Sequence, residues 1–126
     1  SSYLVSIVLD KIKEAKTSSY QLCIGLAAYD LTTGEGSVYE TYSKSNDVLL
    51  GLDDALRFME NYPPREIILE NNLSNEDLIA NMKVDEILGY LGIQVETTYS
   101  VKITNHKKIS WQKNLFDAFF KYGINK

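Results

Sequence analysis

The feature that most limits what this chain can fold into lies between Gln21 and Thr41. An apolar run, Leu22-Cys23-Ile24-Gly25-Leu26-Ala27-Ala28-Tyr29, leads into Asp30-Leu31-Thr32-Thr33-Gly34-Glu35-Gly36 and then into Ser37-Val38-Tyr39-Glu40-Thr41. The first arm is too short to span a membrane and too rich in strand formers for a loop. A turn-prone Asp, two Thr and a Gly able to take positive φ join it to the second arm, so the arms pair antiparallel as a β-hairpin. Elsewhere strand and helix patterns alternate, so a hairpin here gives the sheet an antiparallel side.

At 126 residues the chain has the size of one domain and can bury about two-thirds of its unfolded surface. No stretch reaches transmembrane length and no signal-peptide pattern opens it, so no membrane partner is expected. The single Cys23 sits in a strand pattern, which excludes an internal disulfide and points to an intracellular, reducing compartment and a buried, inert thiol. Seventeen acidic residues against 13 basic give a net charge of −4, a poor balance for gripping a phosphate backbone directly. The chain opens Ser1-Ser2-Tyr3 without Met, directly on a strand-like run, which suggests a fragment of a larger multidomain protein.

Tyr3-Leu4-Val5-Ser6-Ile7-Val8-Leu9 reads as a central strand covered on both faces, followed by a solvated, lysine-rich connection over Asp10–Ser19. With the hairpin this gives a three-stranded antiparallel meander. Ser45-Asn46-Asp47 offers a helix N-cap, Val48, Leu52, Ala55, Leu56 and Met59 fall on one face, and Pro63-Pro64 ends that helix. Arg65–Glu70 reads as a short strand closed by Asn71-Asn72. Ser74-Asn75-Glu76-Asp77 has a capping-box pattern, and helical spacing continues through Val84, Ile87, Leu88 and Leu91 to a Gly92 C-cap, as one helix or two. From Ile93 to Ile103 strict alternation predicts an edge strand. Trp111, Leu115, Ala118, Phe119 and Tyr122 then make an aromatic helix, ended by Gly123. Phe116 and Phe120 lie off that stripe, so Trp111, Phe116 and Phe120 are candidates for a surface that meets another domain or a partner.

The order β-β-β-α-β-α-β-α predicts an α/β fold: an RNase H-like mixed five-stranded sheet, three antiparallel strands then parallel ones, flanked by helices. That topology supplies an enzymatic alternative, since active RNase H-like nucleases hold two divalent metals between carboxylates at strand ends and on a helix. Asp10 or Asp30, Glu70 and Asp117 are the candidate ligands. Against it, the catalytic Asp of such nucleases lies within the first strand, and Tyr3–Leu9 carries no acid. Asp10 follows the run, and Asp30 sits in a turn, where Asp serves backbone hydrogen bonds. No phosphate-cradling glycine loop and no Cys/His metal spacing occurs. Lys102, His106, Lys107 and Lys108 could touch phosphate, although no aromatic platform is interleaved with them.

Three stretches together, Gly25–Glu35 in the hairpin, Pro64-Arg65-Glu66-Ile67-Ile68-Leu69-Glu70, and Ser110-Trp111-Gln112-Lys113-Asn114-Leu115-Phe116, resemble the connector domain of MutS-family DNA mismatch-repair ATPases. The Tyr- and Asn-rich composition is similar to a divergent branch, of organellar or large-viral lineage. The resemblance implies a non-catalytic RNase H-like domain, with no catalytic, cofactor or metal residue to carry over. It implies a relay of conformational change between mismatch-binding and core/ATPase domains, with other domains of the parent protein as partners. It further implies a docking surface for a MutL-type partner in some members, and contact with DNA through the parent protein.

Overall fold

The computed structural model describes residues 3–14, 20–44, 47–79, 81–93 and 98–100. Four long strands build its sheet: β1 (Tyr3–Lys13), β2 (Tyr20–Asp30), β3 (Gly36–Ser43) and β4 (Pro64–Asn71). Their order is β3-β2-β1-β4, with β1–β2 and β2–β3 antiparallel and β1–β4 parallel. The antiparallel meander expected from the hairpin is therefore present. A three-residue segment, β5 (Thr98–Ser100), runs parallel to β4 along its outer side. The rest of the strand expected over Ile93–Ile103 lies largely outside the described residues, as do the Trp111–Tyr122 helix and the basic turn.

Alternation sorts the sheet into two faces. Val5, Ile7 and Leu9 of β1, Leu22, Ile24, Leu26 and Ala28 of β2 and Leu69 of β4 point to the larger core. There they meet Leu52, Ala55 and Phe58 of α1 (Leu49–Asn61) and Ile87 and Leu88 of α2 (Val84–Tyr90). Leu4, Val8, Ala27 and Ile68 form a smaller apolar cluster on the opposite face. Every residue from Leu4 to Leu9 is buried, as a strand covered on both sides requires.

Three local expectations differ from what forms. First, β1 does not end at Leu9: Asp10 to Lys13 pair with Cys23 to Tyr20, so two strands of 11 residues each match along their whole length. Second, the helix after β3 starts from Val48 with no side-chain cap. The buried Ser43 takes over at that end: its Oγ–H donates to the Val48 carbonyl (2.5 Å) and its Oγ accepts from the Gly51 N–H (2.9 Å). Third, the Ser74–Asp77 box closes on itself without starting a helix. Ser74 N donates to Asp77 Oδ2 (2.7 Å) and Glu76 N to Ser74 Oγ (3.2 Å). A tight turn then pairs Ile79 with Met82, with Asn81 at φ 65°, and such left-handed backbone cannot continue a helix. The helix proper is α2, at whose start the Lys83 N–H donates to Glu86 Oε1 (3.2 Å). Gly92 ends it at φ 72°, where Ile93 N bonds the Leu88 carbonyl and Gly92 N that of Gly89, the pattern of a Schellman cap.

Candidate functional site at the carboxyl ends of β1 and β4

Open α/β sheets place ligands beyond the carboxyl ends of their parallel strands. Here β1 and β4 are the long parallel neighbours, and their carboxyl ends carry Asp10, Lys11, Glu70, Asn71 and Asn72. In register Val8 stands beside Glu70, and Asp10 is the next residue on the same face of β1. Asp10 and Glu70 are therefore diagonal neighbours on the face of the smaller cluster. This corrects the reading that the first strand carries no acid: Asp10 belongs to β1 because the ladder to β2 runs on to Lys13.

The side chains at this end are tied to the chain itself. Glu70, only 4% exposed, accepts from Asn72 Nδ2 at Oε2 (2.8 Å). Asp10 Oδ1 accepts from the Lys11 N–H (2.8 Å). Asn72 N extends the β1–β4 ladder by donating to the Leu9 carbonyl (2.9 Å). Lys11 reaches across to Asp77, Nζ to Oδ1 at 2.7 Å, and its ammonium lies 4.9 Å from the centre of the Tyr20 ring. That hydrogen bond to Asp77 raises the Lys11 pKa, and the same bond from Lys11 lowers that of Asp77. Asp77 also holds Ser74, and Asn71 Oδ1 accepts from Leu73 N, so the loop after β4 is stapled to the end of β1.

Asp30 sits at the other end of the sheet. Its Oδ1 accepts from Thr32 N (2.8 Å), Thr32 Oγ1 (2.6 Å) and Thr33 N (3.4 Å), and those bonds, the Thr32 hydroxyl first, lower its pKa. Asp10 pairs with Cys23, seven residues before Asp30 on β2, so the two carboxylates stand roughly 24 Å apart along the strand. Two-metal sites need ions about 4 Å apart, so Asp30 is excluded as a partner of Glu70. Asp10 and Glu70 are brought together. Asp117, and likewise Trp111, Phe116, Phe120, Lys102, His106, Lys107 and Lys108, lie outside the described residues. Among the described residues no three Asp, Glu, His or Cys side chains gather as a metal site. Of the candidate ligands, Asp10 and Glu70 share a face, and Glu70 is buried against an amide donor. Cys23 is buried, and its thiol donates to Glu40 Oε1 over 4.0 Å.

Lys11, Asn72 and Asp77 were invisible as site residues in the sequence. Lys11 and Asn72 read as parts of connections, and Asp77 as a helix cap. Leu9-Asp10-Lys11-Ile12 runs apolar, polar, polar, apolar and breaks the strand's alternation, so only the matching length of β2 points to Lys11.

The fold and this end define a mixed α/β domain with the strand order of RNase H-like proteins through its first four strands. No protein-family model matches the chain. In sequence it is 31% identical over 85 residues to a protein of Acanthamoeba polyphaga mimivirus described as a homologue of the DNA mismatch-repair protein MutS. The match covers 66% of this chain, which spans 8% of the length of that curated relative. A MutS-related chain is what this similarity supports.

Solved structures that superpose on it include the fowlpox virus resolvase bound to a Holliday junction, at 14% identity and TM-score 0.41, covering 94% of this chain and 74% of that one. A ribonuclease H1 with an RNA/DNA hybrid superposes at 14% identity and TM-score 0.36, over 80% and 86%. A simian T-cell lymphotropic virus intasome chain does so at 13% and 0.39, over 94% and 41%. These superpositions are loose, and the fold stands on the strand order and registers above.

Proposed function

We propose that the chain is a non-catalytic connector domain of a MutS-like mismatch-repair ATPase, with the five-stranded RNase H-like sheet of that domain. The observation that carries this reading is the 31% identity to the mimivirus MutS homologue over most of the chain. The geometry fits it. At the carboxyl end of the parallel pair, where an active relative would keep its ligands open, Glu70 is buried and takes a hydrogen bond from Asn72, while the Lys11–Asp77 staple ties down the loop after β4 from the other face of β1. In this role the sheet transmits movement between a mismatch-binding domain and the core and ATPase domains of the parent, and its surface offers a MutL-type partner a docking place. The domain works inside the cell, and DNA is reached through the parent protein.

The test uses the parent protein with residues 1–126 replaced by a flexible linker of matched reach. Basal ATP hydrolysis is expected to persist while its stimulation by mismatched DNA is lost. Undiminished stimulation would overturn the proposal.

One observation favours a second reading, a metal-dependent RNase H-like nuclease: Asp10 lies within β1 on the face that bears Glu70. That reading requires Mn²⁺ to bind there. Titration with Mn²⁺ would then broaden the amide resonances of Asp10 and Glu70 first, and Asp10→Asn with Glu70→Gln would remove the effect. Broadening elsewhere, or none, sinks it.

A further inference from the structure

Among the described residues β3 is the edge of the sheet, and its register with β2 runs unbroken from Tyr29–Gly36 to Leu22–Ser43. Natural edges are blunted by lysines, prolines or bulges. This one, Gly36-Ser37-Val38-Tyr39-Glu40-Thr41-Tyr42-Ser43, has none of them. Instead Val38 is 57% exposed, and Tyr39 and Tyr42 also stand out to solvent.

The backbone phase follows from the turn. Asp30 directs both its groups across the hairpin, its N–H to the Glu35 carbonyl and its carbonyl to the Gly34 N–H. Counting back in twos along β2, Ala28, Leu26 and Ile24 point toward β3 and pair with Ser37, Tyr39 and Thr41. Val38 and Glu40 therefore turn their N–H and C=O outward. Glu40, the only charged residue of the strand, shares a face with the exposed Val38 and Tyr42, two residues to either side.

We infer that the β3 edge receives an extended segment of another protein, which adds a strand to the sheet and sets a Lys or Arg opposite Glu40 between two apolar side chains. Main-chain bonds supply affinity in such additions, and alternate side chains supply selectivity. Charge picks the occupant. A second copy of this chain, in the register that sets Val38 against Tyr42, would bring Glu40 opposite Glu40, and each copy carries a net charge of −4. A basic foreign strand has neither conflict. This inference goes beyond the connector reading and does not depend on it.

The probe is a labelled seven-residue peptide, Thr-Val-Thr-Lys-Thr-Val-Thr, compared by fluorescence anisotropy with the same peptide carrying Glu at its centre. The 126-residue chain is expected to prefer the lysine peptide. Val38→Pro removes only an outward N–H, a change an edge strand tolerates, and should abolish binding of both peptides. Glu40→Lys should reverse the preference, by about fivefold in each direction, the size of a cross-strand charge effect. Binding unaffected by Val38→Pro, equal affinity for the two peptides, no binding of either, or a dimer that occupies this edge in sedimentation equilibrium would each overturn the inference.

Discussion

The two ends of the β1–β2 ladder use aspartates differently. At the hairpin end Asp30 spends one oxygen on three donors within the next three residues, a local device that shapes a turn. At the other end Asp77 joins residues 66 positions apart, fastening the loop after β4 to Lys11 of β1. The hairpin end is backed by aromatic packing. Tyr3 meets Tyr62 edge-on at 5.4 Å, and Phe58 lies 4.8 Å from Tyr62 and 6.1 Å from Tyr39. The opposite end is backed by polar bonds around Glu70, Asn72 and Asp77. Carboxylates near strand ends thus say little until their partners are known: Asp30 makes a turn, Asp77 fastens a loop, and Glu70 is held by the amide of Asn72.

The largest effect is expected in the strand both ends share. Ile7 is fully buried at the centre of β1, and Ile7→Ala should cost about 3 kcal/mol in urea unfolding and weaken both ends alike. Glycines separate the ends next. A Cβ on Gly51, near the Ser43 end, would come within 2.4 Å of Ser43 Oγ and 3.1 Å of Ser43 N. Gly51→Ala should destabilise by about 1–2 kcal/mol, because overpacking of about 2–3 kcal/mol exceeds the roughly 1 kcal/mol that Ala gains in a helix. At the hairpin Gly34 has φ 79° with only an ordinary contact to Tyr29 Oη at 3.4 Å, so Gly34→Ala should cost about 1 kcal/mol through backbone strain alone. Thermal melts that rank these two in the opposite order would contradict the assignment of steric crowding to one end and strain to the other.

The staple is smaller still. Lys11→Ala or Asp77→Asn should each cost about 0.5–1 kcal/mol, since the pair is partly exposed, and salt should reduce that difference. Hydrogen exchange should quicken in the loop after β4 and leave the hairpin unchanged. The smallest effect is on pH dependence. The folded pKa of Asp77 and Asp30 lies below the ordinary 3.8, so both contribute stability that is present above that value and is lost as pH falls through the lowered folded pKa. Lys11, raised above 10.5, contributes stability that is present below that value and is lost as pH rises through the folded pKa. Asp77→Asn should therefore flatten stability at both extremes of pH, whereas a change at Asp30 should act in acid only.

The hairpin was legible because each element agrees with the next: β-formers, a self-bonding Asp, a glycine at positive φ, and an alternating return arm. Gly92 was equally plain. Asp10–Lys13 was not, because polar side chains on a strand that outruns its core look like a connection, and only the length of β2 shows that the ladder continues. Ser74–Asp77 misled for the opposite reason. Its box forms, but Asn81 breaks the chain's path before a helix can propagate. The meeting of Asp10 with Glu70 depends on a parallel register 60 residues apart in sequence, which local patterns do not specify.

The measurement that most directly tests the non-catalytic reading is cleavage of an RNA/DNA hybrid and of a four-way DNA junction by the purified chain with Mg²⁺ or Mn²⁺. No cleavage of either is expected, in wild type as in Asp10→Asn. Metal-dependent cleavage by the wild type that Asp10→Asn and Glu70→Gln each abolish would contradict it.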